Sequence, residues 1–362
     1  VGNNSASVVA DAWLSGAPAG YDVNTLYAAV VHAAENAHPT IDSVGRKGAK
    51  EYLELGYVPR DIGINESAAR TLEYAYDDWC AWRLAVDLKR PQEEIDRFAR
   101  RCQNYRNLFS PEHKLMCGRN RDGSFDAAFN PFKWGGDFTE GCSLHYSWSV
   151  FHDVQGLIGL MGGRAAFAAK LDEVFTLPPL FDESYYRQVI HEIREMQIMN
   201  FGQYAHGNQP IQHMVYLYAY AGEPWKTQRW AREVMERLYT PAPDGYCGDE
   251  DNGQTSAWYV WSALGFYPVC PGSGEYVMGA PLFKKATVTF ENGKTLVVSA
   301  PGNSAANRYI RELKLNGKVY TKNYLAADVL KQGATLELDM APEPNVRRGA
   351  EESDAPYSFS RK

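Results

Sequence analysis

An α/α toroid followed by a small β-rich module is the fold class this sequence predicts, on three observations. Helical periodicity recurs from residue 24 to about 264; the loops between are rich in Gly, Pro, Asp and aromatics; and short β-branched stretches take over after Pro268. No repeat of fixed period accompanies the helices, which argues against a solenoid. The expected division is a helical domain over 1–268, a β-rich module over 269–345 and a polar, loosely held tail over 346–362.

Taken in order, Leu26, Val30, Val31 and Ala34 share one face of a helix expected at 24–34. The next, at 67–86, is long and aromatic; its Glu73, Asp77 and Asp78 read as one polar face. Acids alternate with arginines over 92–109, as on a solvated outer helix. Further helices are expected at 145–161, 164–175, 184–199, 211–221, 224–238 and 254–264. Pro224 suits a first helical turn, and Gly222 suits the stop of the helix before it. Strands are expected around Val277 and over 286–290, 295–300, 308–315, 318–320 and 335–339, with Asn292-Gly293 and Asn316-Gly317 as hairpin turns.

Composition narrows the function. The chain has 362 residues, 45% of them hydrophobic, enough for a sizeable core. A net charge of −7 argues against nucleic acid, which calls for a basic surface. No apolar run approaches the length of a membrane span. Aromatics make up 13%, with 23 Tyr and 9 Trp, a weak pointer to carbohydrate, since such rings stack on sugar C–H faces as well as on each other. The six cysteines show neither a CxxC pair nor zinc spacing. The opening VGNNSAS, without Met or signal peptide, reads as a processed or truncated product.

Two stretches carry candidate chemistry. Residues 244–253 place Asp244, Asp249, Glu250 and Asp251 among glycines, directly before the helix expected at 254–264. Asp249 and Asp251, two apart, can aim at one point on an extended turn; the bland alternative is a capping turn with solvated acids. An EF-hand is ruled out because Gly253 occupies the position of an oxygen ligand. In the second stretch, Glu140 sits between Thr139 and Gly141, with Phe138, Tyr146 and Trp148 nearby. An aromatic, partly dry setting disfavours an ionised carboxyl, which suits a general acid; the alternative is an acid with a structural role at a helix entry. Paired with Asp249 or Asp251, Glu140 would complete the two carboxylates of a glycosidase. His206, Asn208 and Gln209 precede Pro210, where their neutral groups could bind sugar hydroxyls or a hard cation. His152 and Asp153 are expected inside a helix with structural roles, and Lys226 and Gln228 are ambiguous.

These motifs resemble glycoside hydrolase family 92, the calcium-dependent exo-acting α-mannosidases. The resemblance is carried by RTLEYAYDDWC at 70–80, FTEG at 138–141, HDVQGLIGLMGG at 152–163, GQYAHGNQP at 202–210, YAGEPWKTQ at 220–228 and GDEDNGQTSAWYVWSALGFYPV at 248–269. It implies an (α/α)6 catalytic toroid, incomplete here at its N-terminus, with the first helices and an N-terminal β-sandwich expected as further parts of the same protein outside this chain. It further implies inverting hydrolysis of mannose-containing glycans and a secreted, periplasmic or cell-surface location. Glu140 would be the general acid, Asp251 the general base and Asp249 its assistant. Ca2+ would hold the mannose at Asn208, Gln209, Asp249 and Asp251, with His145, His206, Asn208 and Gln209 contacting substrate. The chain reads TEGCSLHY where family members often read TEGNAWQY, so Cys142 to His145 replace residues near the leaving-group subsite; it also reads GNQP where many α-1,2-specific members read GNEP. Two other readings are open: a non-catalytic glycan-binding fragment, or another glycosidase or lyase on an α/α toroid.

Overall fold

The computed structural model describes every residue except 1, 3, 18, 19, 42, 43 and 362. The chain is about 40% helical, with its strands concentrated towards the C-terminus. It divides into two compact units: Val1–Asp153 with Pro178–Ile193 and Pro271–Ser273, and Val154–Leu177 with Arg194–Cys270 and Gly274–Lys362.

The first unit contains α1 (Ser5–Leu14), α2 (Val23–Glu35), α3 (Ala49–Leu55), α4 (Ser67–Asp87) and α5 (Gln92–Arg101), a small hairpin of β1 (Phe109–Ser110) and β2 (Leu115–Met116), and the one-turn α6 (Ser143–Tyr146). α4 is its central helix, and its acids are not on a solvated face. Asp78 is fully buried, and its carboxylate accepts from Arg46, Arg101 and the Tyr52 hydroxyl at 2.8–3.1 Å. Burying that charge is tolerable only because two guanidinium groups and a hydroxyl replace its water. Apolar periodicity alone could not assign α4's acids to the interior, since their partners lie far along the chain.

Beyond α5 the expected long helix to 109 stops at Arg101. A 3-10 turn, Asn104–Leu108, follows, because the Tyr105 hydroxyl is drawn to Asp153, 2.7 Å away. Similarly, the helix expected over 145–161 is two short ones. Side chains of Ser147 and Trp148 donate to the carbonyls of Ser143 and Leu144, ending α6. His152 and Asp153 therefore lie in the link rather than inside a helix. Both are buried and structural: His152 Nε2 donates to the Cys102 carbonyl at 2.7 Å, and Asp153 accepts from Tyr105 and Arg106.

The second unit holds α7 (Val154–Met161), α8 (Arg164–Thr176), α10 (Pro224–Leu238) and α11 (Gln254–Leu264), while α9 (His191–Met199) begins in the first unit and ends here. The stretch expected as a helix from 184 forms a turn over 184–187 and no helix before 191, led by the Asp182 side chain accepting the Ser184 amide. The stretch at 211–221 is instead two 3-10 turns, Gln209–Ile211 and Met214–Ala219. Every residue of the second turn is buried, so apolarity gave no face to read. α10 starts on Pro224 as its sequence requires. Lys226 in α10 is paired with Asp172 and Glu223, and Gln228 accepts from the Ile310 amide, so both hold structure together.

The strands of the second unit form two sheets. β5 (Lys285–Thr289), β6 (Thr295–Ser299), β7 (Tyr309–Leu315), β8 (Lys318–Val319) and β10 (Ala334–Ala341) lie in the order β5-β6-β10-β7-β8; β3 (Phe266–Tyr267), β4 (Glu275–Met278) and β9 (Tyr324–Ala326) form the other, and a short α12 (Ala327–Lys331) precedes β10. Both Asn-Gly pairs make hairpin turns; at the second, Asn316 and Gly317 both take positive φ, +50° and +76°. Alternate residues of β10 point into a core of Leu296, Val298, Ile310, Leu313, Leu336 and Leu338.

The tail is not loosely held. Arg164 donates to the Ala350 carbonyl, Asn323 to that of Gly349, and Thr321 to Asp354; Glu275 accepts the Tyr357 amide and the Ser358 hydroxyl accepts the Gln155 amide. Asp354 and Ser358 are buried, while Glu351, Glu352 and Ser353 remain exposed.

Candidate active site

The candidate residues fall on three segments: the Glu140 turn with α6, the turn of His206 to Gln209, and the acidic turn of Asp249 and Asp251. Glu140 and His145 belong to the first unit, and His206, Asn208, Gln209, Asp249 and Asp251 to the second.

The Glu140 turn closes on itself, the Gly135 amide donating to the Gly141 carbonyl at 3.0 Å. Glu140 is exposed, yet its backbone sits in the left-handed region at φ +47°. Its amide donates to the Tyr186 hydroxyl at 3.0 Å. Phe138 and Tyr146 stack beside it, their centroids 5.5 Å apart. Burial raises the Tyr146 hydroxyl well above its ordinary range, and the carboxylates of Glu73, Glu66 and Glu140 add to this. Tyr146 is therefore neutral among acids. His145 is fully buried against Trp134, and its Nδ1 accepts the Cys142 amide at 3.1 Å. Burial pushes the Cys142 thiol up to about 12, so it is an inert filler rather than a nucleophile.

In the second unit the acidic turn divides its labour. Glu250 is the cap: its carboxylate accepts the Gly253 amide at 2.7 Å and the Ser256 amide at 3.3 Å, closing the N-terminus of α11. Those bonds lower its pKa, the Ser256 side chain most of all. Asp249 and Asp251 are exposed, and neither carboxylate has a hydrogen bond or ion pair among the described residues. Asp251 and Asn252 both take left-handed backbone, at φ +50° and +54°. The capping reading thus fits Glu250 and leaves its two neighbours available for chemistry.

Two glycines join this turn to the one bearing Asn208 and Gln209. A Cβ on Gly248 would lie 2.6 Å from the Gly207 Cα, and one on Gly207 would lie 3.0 Å from the Cys247 carbonyl. The backbones touch because neither carries a side chain. Glu195 of α9 is wedged against both, its Oε2 2.7–2.8 Å from either Cβ position. Glu195, Asp244, Cys247 and Asp249 line a cleft of about 520 Å³. Sequence reasoning missed Glu195 and the glycine contact; only the position of Gly207 and Gly248 beside the two motifs hinted at the latter.

His206 is fully buried, 4.3 Å from the Trp258 ring, and both ring nitrogens pair with tyrosine hydroxyls at 2.7 Å: Nδ1 with Tyr204, Nε2 with Tyr239. Burial lowers its pKa to about 3, so it is neutral. Asn208 is buried and Gln209 half-buried. Below them Gln212 donates to Thr255 and accepts from Gln254, and Thr255 donates to the Asp249 carbonyl, tying the turn floors together. Many of the aromatics that hinted at carbohydrate are spent here, as packing beneath the turns.

Among the described residues, no three His, Cys, Asp or Glu side chains group to hold a metal ion. A cation at this turn has to draw on amide as well as carboxylate oxygens. Asn208, Gln209, Asp249 and Asp251 offer only oxygen, which fits a hard ion such as calcium.

The sequence matches the glycosyl hydrolase family 92 catalytic domain over residues 1–342. A family 92 inverting mannosidase of Bacteroides thetaiotaomicron superposes with TM-score 0.90 at 51% identity, over 100% of this chain and 49% of that one. An α-mannosidase of the same family and organism, in complex with mannoimidazole, gives 0.89 at 37%, over 99% and 46%. An uncharacterised secreted glycosidase of Arthroderma benhamiae is 28% identical over 99% of this chain and 47% of its own length. The chain thus spans about half the length of these relatives. On the match over residues 1–342, it belongs to glycoside hydrolase family 92.

Proposed function

We propose that this chain carries most of the catalytic (α/α)6 toroid of an inverting α-mannosidase, within residues 1–268, followed by a β-rich module over 269–345. The observation that carries the reading is the pairing of family membership with two exposed motif acids, Glu140 and Asp251, each on left-handed backbone. Mannosidases among the structural relatives support the substrate. The secreted fungal relative supports an extracytoplasmic location.

In this mechanism Glu140 gives its proton to the glycosidic oxygen as the bond to the anomeric carbon breaks. Asp251 takes a proton from a water attacking that carbon on the opposite face, so configuration inverts. Asp249, two residues away, helps orient the water. An inverting mechanism needs room for that water between base and sugar. Asn208, Gln209, Asp249 and Asp251 would hold calcium, which when bound supplies a hard anchor for two mannose hydroxyls. His206, neutral and bonded on both sides, braces the Asn208 turn from beneath rather than reaching the sugar. His145 does the same for the Glu140 turn.

Substitution separates the roles. In the complete gene product, Glu140→Gln should lower turnover of a mannose disaccharide by about 10²–10⁴-fold and spare an activated aryl mannoside, whose leaving group needs little protonation. Asp251→Asn should abolish turnover of both. Equal losses on both substrates for Glu140→Gln would count against its role as the acid.

A further inference from the structure

We propose that Tyr186 is a positioning residue for Glu140, its hydroxyl fixing the backbone from which the acid projects. The inference rests on reading Glu140 as the general acid. A glutamate at φ +47° sits where non-glycine residues rarely stay, and it persists only when surrounding bonds hold it. Tyr186 supplies such a bond, accepting the Glu140 amide at 3.0 Å. It touches the backbone, leaving the exposed carboxyl to face substrate.

The tyrosine is itself held. Its ring lies edge-to-face with that of Tyr185, centroids 5.0 Å apart at 81°. Both rings press on Gly135, where a Cβ would meet Tyr185 at 2.3 Å and Tyr186 at 2.9 Å. The segment is pinned at its start: the Trp134 amide donates to the Asp182 carbonyl, the Asp182 amide to that of Phe132, and Asn130 to the Asp182 carboxylate. At its end Arg187 takes φ +57° with its amide on the Glu183 carbonyl. Residues 182–187 therefore form a hook, anchored on 130–134, that delivers one hydroxyl to the amide of the acid. Burial raises the Tyr186 hydroxyl above its ordinary range, so it remains neutral.

Proton transfer in the transition state is sensitive to placement. An error of about 1 Å in a catalytic group costs on the order of 10²-fold in rate. Releasing the amide should misplace the proton without removing it. The test is Tyr186→Phe in the complete gene product, which keeps the ring and deletes the acceptor. Turnover of a disaccharide should fall about 10- to 100-fold with KM nearly unchanged, and that of an activated aryl mannoside should change little. By hydrogen exchange, the Glu140 amide should lose protection while the melting temperature holds. If Glu140→Gln separates the two substrates and Tyr186→Phe does not, the positioning role is wrong and the acid assignment stands. If Glu140→Gln does not separate them, both fall. An unchanged exchange rate at Glu140 also overturns the positioning role.

Discussion

The Glu140 turn and the Asp249–Asp251 turn present acids in similar ways but are held by different means. The first is clamped from outside, by Tyr186 on its amide and by aromatic rings against Gly135 and Tyr146. The second is held from within: Glu250 caps its own helix, Thr255 reaches back to Asp249, and bare glycine backbones meet at residues 207 and 248. A clamped acid in aromatic surroundings suits a proton held for one atom. Exposed carboxylates beside amide oxygens suit water and a cation. Left-handed backbone at both Glu140 and Asp251 shows each acid aimed by local strain rather than by a regular element.

This contrast can be broken first at the cation. On the proposed mechanism, chelation with EDTA should stop turnover of disaccharide and aryl mannoside alike, and added calcium should restore both, because the cation would hold the mannose of every substrate. Turnover unaffected by chelation would remove calcium from the account. A smaller effect is expected at the glycine contact. Gly248→Ala should destabilise the protein by about 1–3 kcal/mol through overpacking, read from denaturant unfolding, and should weaken calcium binding. Gly253→Ala is the converse case: Gly253 sits at positive φ, +101°, as Gly248 does not, but a Cβ there meets nothing within 4 Å. It should cost about 1 kcal/mol, from backbone conformation alone. No loss at Gly248 would mean that crowding between the turns is unimportant.

Much of this was legible in the sequence. α10 and α11 begin and end where Pro224, Gly253 and Gly265 dictate, and the strands after Pro268 follow their alternation. Both acidic motifs were found, because glycines next to acids mark turns with special backbone. What failed to show was long-range. Asp78 looked solvated because Arg46 and Arg101 lie 32 and 23 residues away. The buried 3-10 stretch Met214–Ala219 had no polar face to betray its period. Tyr186 lay in a segment read as helix, and nothing local connects it to a turn 46 residues earlier. His206 looked like a ligand because the tyrosines that saturate it are invisible to spacing.

The most direct measurement of the central claim is the anomeric form of the first sugar released. Proton NMR of the complete gene product acting on an α-mannoside should show β-mannose appearing first, with the α-form growing in only by mutarotation, if Asp251 activates water on the face opposite the leaving group as proposed. α-Mannose as the first product would mean that a carboxylate attacks the sugar directly, and would contradict the assignment of Asp251 as a base.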